Sequence, residues 1–169
     1  MRAMTETNLK DAFAGESQAH MKYLAFADKA DKDGFPQVAL LFRAISFAEQ
    51  VHAHNHLKVL EGVGDTAANL EAAMAGENFE VEEMYPAYNA VAQLQEEKGA
   101  IRSIHFALEA EKGHEELYAM ALTAVRQGED VEAPSVYVCP VCGHTHIGQP
   151  EERCPICNVP AEKYVAFTG

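Results

Sequence analysis

A glutamate followed three residues later by a histidine occurs twice in this chain, and this repeated spacing restricts the folds that the chain can adopt. The two pairs are Glu49 with His52 and Glu111 with His114. Residues three apart lie on one face of an α-helix, so each pair presents a carboxylate and an imidazole together. Two such helices, with two more that each supply a glutamate, hold a pair of metal ions in some four-helix bundles. The pattern therefore predicts a mainly helical bundle around two metal ions.

The additional glutamates that such a site needs are present at matching positions. Glu16 precedes the first pair, and Glu80 and Glu83 precede the second. Hydrophobic periodicity predicts four long helices that would carry these residues. They run over about 5–32, 36–61, 67–98 and 99–126. This order, a glutamate helix followed by a Glu-x-x-His helix and then the same again, is a weak internal repeat that predicts two equivalent half-sites.

The second and third helices carry further sequence features near the expected site. Val38, Leu41 and Ile45 share the helical stripe of the first Glu-x-x-His pair, so that stripe is predicted to face inward. Pro86 falls inside the third helix, where proline removes a backbone hydrogen bond. Pro86 therefore predicts either a short break between two ordinary helices or a local irregularity beside Glu83 that lets its carboxylate move.

Carboxylate oxygens and imidazole nitrogens suit iron and manganese. Several buried carboxylates without a metal would be strongly unfavourable, whereas two iron ions would neutralise most of their charge. Glutamates at the surface of amphipathic helices would explain any one of these residues. Five glutamates and two histidines at matched spacings on four helices favour the metal site.

Composition excludes several classes of function. The net charge of −13 argues against nucleic acid and anionic membranes as partners, since their phosphates would repel the chain. No apolar segment follows the first five residues as in a signal peptide, and no apolar run is long enough to cross a bilayer. We therefore expect a cytoplasmic protein that acts without a membrane.

The C-terminal 31 residues contain all four cysteines of the chain, arranged as two Cys-x-x-Cys pairs. The pairs are Cys139 with Cys142 and Cys154 with Cys157. So short a segment needs a metal to fold, and four thiolates bind zinc or iron in a tetrahedron. Zinc would make this a structural ribbon, and iron would make it a one-electron carrier. The spacing alone favours zinc.

Taken together, these motifs resemble those of the rubrerythrins over nearly the whole chain. The motifs are Gly15-Glu16-Ser17-Gln18-Ala19, Glu49-x-x-His52, Gly76-Glu77-x-x-Glu80-x-x-Glu83-Met84-Tyr85-Pro86, Glu111-x-x-His114, Cys139-Pro-x-Cys142-Gly143 and Cys154-Pro-x-Cys157. The resemblance implies a ferritin-like four-helix bundle with two non-haem irons over residues 1–133. It also implies a rubredoxin-like domain with one iron over residues 134–169.

The function implied by this resemblance is reduction of hydrogen peroxide to water in oxidative stress defence. Electrons would enter through the rubredoxin-like iron, from NAD(P)H by way of a separate reductase or a rubredoxin. The resemblance also implies a homodimer, and some relatives exchange helices between subunits.

The resemblance further assigns metal ligands within the bundle. It implies that Glu49 and Glu111 bridge the two irons. Glu16 would bind one iron alone, and Glu80 and His114 would bind the other.

Four residues would take part in catalysis by the same resemblance. Glu83 would exchange with His52 as a ligand of the first iron when the redox state changes. Tyr23 and Tyr88 match tyrosines that lie beside the metal pair in the family.

Two other functions fit parts of the sequence. A ferritin-like ferroxidase or iron store would use the same glutamates and histidines but has no need of a four-cysteine tail. A zinc-ribbon scaffold with a degenerate bundle would use the tail and leave the complete ligand set unexplained. The presence of three irons in each chain would favour the peroxidase.

Overall fold

The computed structural model describes residues 1–168 and divides the chain into two compact units. The first unit is Met1–Gly64 and the second is Asp65–Gly169. Each unit has its own helices, and the second also contains the cysteine-rich C-terminal segment.

The first unit is a hairpin of two long helices. Helix α1 spans Ala3–Lys32 and helix α2 spans Pro36–Val59, close to the predicted ranges, although α2 ends two residues early. Gly34 makes the turn with a φ of 84°, a left-handed conformation that glycine adopts without strain. Pro36 then begins α2, where its missing N–H is no loss because the first turn has no carbonyl to pair with it.

Small side chains form the contact between α1 and α2. Ala27, Ala30 and Ala39 are buried together, with Phe42 packed against them. The stripe of α2 that was predicted to face inward is not buried within the single chain, where Val38, Leu41 and Ile45 are 44%, 58% and 39% exposed. The physical reason is that a two-helix hairpin buries only the face on which its helices touch.

The helical part of the second unit contains three α-helices. They are α3 at Thr66–Phe79, α4 at Tyr85–Leu94 and α5 at Lys98–Arg126. Asp65 caps α3 by accepting a hydrogen bond from the Ala68 N–H. The prediction of a single helix over 67–98 is therefore corrected. Two α-helices, α3 and α4, cover this range, a π-helical turn at Glu80–Met84 separates them, and the second ends at Leu94.

A small antiparallel sheet forms the frame of the C-terminal segment. Strands β1 (Ser135–Val138), β2 (Thr145–Ile147) and β3 (Val165–Thr168) are arranged in the order β2-β1-β3. Tyr137 pairs with His146 on one side and with Ala166 on the other. Such short strands bury little, so the cysteine cluster and its apolar neighbours supply the core of this segment.

The architecture confirms the predicted fold class. The described chain is mainly helical, with two cysteine pairs gathered at its C-terminal end. No helix within residues 1–168 has both the length and the apolar character needed to cross a bilayer.

Candidate metal centres

The first unit contains a cluster of three metal-binding side chains. Glu16 lies on α1, and Glu49 and His52 lie one turn apart on α2. The Nδ1 atom of His52 is 2.9 Å from Glu49 Oε2 and 3.8 Å from Glu16 Oε1. One ligand atom from each residue lies within 4.8 Å of the others, so a single ion could contact all three.

The second unit contains a cluster of the same kind. Glu111 and His114 lie one turn apart on α5, and Glu77 on α3 completes the group. Here the Nδ1 atom of His114 is 2.5 Å from Glu111 Oε2. Both Glu-x-x-His pairs therefore direct Nδ1 towards their own glutamate, and this matched geometry agrees with the predicted internal repeat.

Sequence reasoning did not include Glu77 among the site residues. Glu77, Glu80 and Glu83 are spaced three apart, and the sequence could not show which of them approaches α5. Burial, and then the nearby charge of Glu111, raises the pKa of Glu77 to about 7. The pKa of Glu80 is also raised, by burial and then by Glu111, so Glu80 lies close to the same cluster. Glu83, by contrast, is exposed.

The irregularity expected beside Glu83 takes the form of the π-helical turn. The N–H of Tyr85 donates to the Glu80 carbonyl, five residues back, and Pro86 follows at the start of α4. The turn contains both Glu80 and Glu83. Single π-helical turns are rare and often occur at functional sites.

The two tyrosines that the resemblance implies lie in different units. Tyr23 belongs to the hairpin and lies in an aromatic group with Phe26 and Phe42, with ring centroids 6.1 Å from each. Tyr88 lies on α4, and its side chain is more than half exposed. Their catalytic roles stay predictions.

The four cysteine sulfurs form a compact cluster suited to one metal ion. Cys139 Sγ lies 3.5 Å from Cys157 Sγ, and Cys142 Sγ lies 3.4 Å from Cys154 Sγ. These separations exceed a disulfide bond of about 2.0 Å. They approach the edge of about 3.8 Å that follows from a tetrahedron with metal–sulfur bonds of about 2.3 Å. The donor set therefore fits a tetrahedral metal.

Each cysteine pair is followed by a residue with left-handed backbone conformation. Gly143 and Asn158 have φ values of 82° and 62°, and their N–H groups donate to the carbonyls of Cys139 and Cys154. Burial opposes ionisation of Cys154, but hydrogen bonds from the Tyr164 hydroxyl and from neighbouring backbone N–H groups outweigh it and lower its pKa to about 6. This thiol is therefore prepared to bind metal as a thiolate.

The cysteine cluster packs against the helix that carries Glu111 and His114. A Cβ placed on Gly143 would lie 3.8 Å from the Ala110 Cβ, and Phe106 packs directly on the cysteines. The Nε2 atom of His114 is 3.3 Å from the Gly143 carbonyl oxygen and 2.9 Å from Thr145 Oγ1. Within the second unit, His114 of the candidate metal cluster thus contacts the loop that follows Cys142.

These features define a class of protein, the ferritin-like di-iron carboxylate proteins joined to a rubredoxin-like domain. A family model described as Rubrerythrin matches residues 7–122, and one described as Rubrerythrin, rubredoxin-like domain matches residues 137–165. The chain belongs to the rubrerythrin family. The donor sets fit the predicted cofactors, two non-haem irons and one iron at the four cysteines.

Several known proteins are similar to this chain over most of their length. Rubrerythrin-2 of Clostridium acetobutylicum is 40% identical over 98% of this chain and 97% of its own. Nigerythrin of Nitratidesulfovibrio vulgaris is 34% identical over 96% of this chain and 86% of its own. The solved structure of fully reduced, all-ferrous nigerythrin matches 96% of this chain and 86% of that one, with 32% identity and a TM-score of 0.59.

Proposed function

We propose that this protein is a peroxidase that reduces hydrogen peroxide to water in oxidative stress defence, with electrons that enter through the four-cysteine iron. The reaction consumes two electrons and two protons for each peroxide and yields two waters. Bound irons would supply the redox chemistry, because a ferrous pair can give up two electrons together. The chain's own residues must hold the metals, supply protons and connect the two kinds of site.

The contact between His114 and the Gly143–Thr145 loop is the observation that carries this proposal. The histidine joins the carboxylate cluster through Nδ1 and the cysteine loop through Nε2. A chain of bonds and hydrogen bonds therefore leads from Cys142 through the Gly143 carbonyl to the imidazole. Such a connection suits repeated electron delivery to the carboxylate cluster.

The proposed di-iron ligands are those that the family resemblance assigns. Glu49 and Glu111 would be shared by the two irons, Glu16 would hold one iron, and Glu80 and His114 would hold the other. The structure adds Glu77 as a further carboxylate within reach of Glu111. Glu77 lies beside Glu111 and His114, so its carboxyl could pass a proton towards a departing oxygen.

Glu83 and His52 are the proposed exchangeable ligands. Oxidised iron favours the anionic oxygen of Glu83, and reduced iron tolerates the neutral imidazole of His52. The π-helical turn supports this role, because its i to i−5 hydrogen bond gives Glu83 a backbone setting unlike that of a regular helix. Tyr23 and Tyr88 are the proposed neighbouring tyrosines.

We also propose a cytoplasmic homodimer that receives electrons from NAD(P)H through a separate reductase or a rubredoxin. The free cysteines suit a reducing compartment. Exposed apolar side chains on both units, such as Leu41, Phe47 and Val91, would be covered by a second copy. Helix exchange between subunits is one form of such a dimer, and crosslinking between singly tagged copies would detect it.

A ferroxidase would use the carboxylate clusters but not the cysteine site, so removing the tail separates the two functions. We expect deletion of residues 134–169 to stop multiple turnover with an external reductase. The chemically reduced, truncated protein should still be oxidised once by peroxide. Full multiple-turnover activity without the tail would contradict the proposal that electrons enter there.

A further inference from the structure

The four cysteines differ in how far they are buried, and the most exposed of them identifies the side of the four-cysteine site that is nearest to solvent. Cys139, Cys142 and Cys154 are 1%, 7% and 2% exposed, whereas Cys157 is only partly buried. Cys142 precedes Gly143, whose carbonyl lies beside His114 on α5. Within the described residues, Cys157 is therefore the thiolate that an external electron donor could approach most closely.

Cys157 opens onto a groove of about 500 Å³ in the second unit. The groove is lined by Gly99, Arg102, Ser103, Phe106, Val141 and Cys157. Val141 is 53% exposed, and Phe106 also packs against the cysteine cluster. The wall is thus mostly apolar or small, and Arg102 is its charged side chain.

Arg102 is an exposed cation that the described chain leaves unpaired. Arg43 pairs with Asp28 and Asp31, and Arg126 pairs with Glu71. The Arg102 guanidinium, in contrast, forms no ion pair or hydrogen bond with another residue of 1–168. In a chain with a net charge of −13, this local positive charge favours an anionic partner at this groove.

We propose that an acidic one-electron redox protein docks in this groove, with carboxylates against Arg102 and its redox centre facing Cys157. One electron leaves the reduced donor and converts the four-cysteine iron from ferric to ferrous, without transfer of an atom. A small apolar groove with one cation suits the small interface of a transient redox complex. This inference rests on the proposed function of the tail iron and adds the site and charge of its donor.

The test measures reduction of the tail iron directly by stopped-flow, as loss of the thiolate-to-iron absorption. The donor is a reduced acidic flavodoxin, and dithionite serves as a small reductant in parallel. Arg102→Glu is compared with Arg2→Glu, which makes the same charge change at an exposed N-terminal position. We expect Arg102→Glu to lower the rate constant for reduction by flavodoxin roughly tenfold at low salt. At high salt the rate constants of the variant and the native protein should become similar. Arg2→Glu should have little effect, and the loss of rate in Arg102→Glu should be much smaller with dithionite, a small anion, than with flavodoxin.

Several outcomes would overturn the docking proposal. One is an equal change of the flavodoxin rate constant in the two variants, and another is a faster rate in Arg102→Glu. A third is a change of oligomeric state in Arg102→Glu, which would assign the groove to a second copy. Normal flavodoxin reduction of the tail iron without later peroxide turnover would overturn the proposed function alone. Absence of the thiolate-to-iron absorption from the native protein would overturn both.

Discussion

The hydroxyl of Thr145, on strand β2, lies 2.9 Å from Nε2 of His114, on helix α5. The Thr145 hydroxyl also donates a hydrogen bond to the Gly143 carbonyl at 3.0 Å. The Thr145 Oγ1 atom can therefore accept a hydrogen bond from the Nε2–H of His114. With Nε2–H as the donor, a neutral imidazole would keep its Nδ1 lone pair on the side of Glu111, where it could bind a metal ion. Hydrogen bonds of this kind fix the tautomer and orientation of metal-binding histidines.

Removing this hydroxyl should weaken the metal site. We expect Thr145→Val to lower the iron affinity of the carboxylate cluster about tenfold, at the low end of such effects because the Gly143 carbonyl remains available. Thr145→Ser keeps the hydroxyl and should behave like the native protein. Iron retention against a chelator measures the difference. Equal retention in the two variants would show that Thr145 does not position His114.

The raised pKa of Glu77 makes the stability of the metal-free protein depend on pH. The ordinary value is 4.5 and the folded value about 7, so the folded state holds this proton more tightly than the unfolded chain. The stabilisation is complete below about pH 4.5 and is lost as the pH rises to about 7. Glu77→Gln should therefore raise the melting temperature of the metal-free protein more at pH 8 than at pH 5.

The exposed Glu82 in the π-helical turn provides a control for that measurement. Glu82→Gln should shift the melting temperature by a similar small amount at both pH values. A Glu77→Gln effect that is equal at pH 5 and pH 8 would contradict burial of an ionised Glu77 carboxylate as the cause.

The sequence predicted the helices and both metal-binding motifs because their signals are local. The Glu-x-x-His and Cys-x-x-Cys spacings each act within a few residues. The exposure of Val38 could not be predicted in this way, because it depends on how many helices pack together. Periodicity shows which side chains share a stripe but not what covers it.

The third helix shows a second limit of sequence reasoning. Pro86 correctly indicated an irregularity in this helix. It did not show that the irregularity would be a π-helical turn, nor that the turn would lie just before Pro86. For the same reason the sequence could not decide that Glu77 approaches Glu111 and His114 more closely than its neighbours do. Which carboxylate reaches the metal depends on helix rotation and on contacts far apart in the chain.

Glu83 is expected to control the choice of oxidant. Because the other carboxylates remain, Glu83→Ala should retain its iron while it loses much of its selectivity for peroxide over dioxygen. The check is iron content, together with the rates at which each oxidant acts on the reduced protein. Loss of iron, or an unchanged ratio of the two rates, would contradict the role proposed for Glu83.

Cys142→Ser should affect the two kinds of metal site differently. The substitution removes one of four thiolates, so the thiolate-to-iron absorption should disappear. The helices should stay folded, because their packing and the carboxylate clusters do not depend on this thiolate. Circular dichroism measures this helix content. Complete unfolding of the chain would show that the helical and cysteine-rich parts are not separate domains.

Mixing the fully reduced protein with hydrogen peroxide without oxygen tests most directly whether the four-cysteine iron supplies electrons for peroxide reduction. The thiolate-to-iron absorption is weak when this iron is reduced and returns when it gives up an electron. After peroxide oxidises the irons that the carboxylate cluster would hold, we expect this absorption to return within the turnover time in the native protein. Thr145→Val should delay the return. If peroxide is consumed while the tail iron stays reduced, electrons do not pass from the cysteine site, and the proposed peroxidase cycle is wrong.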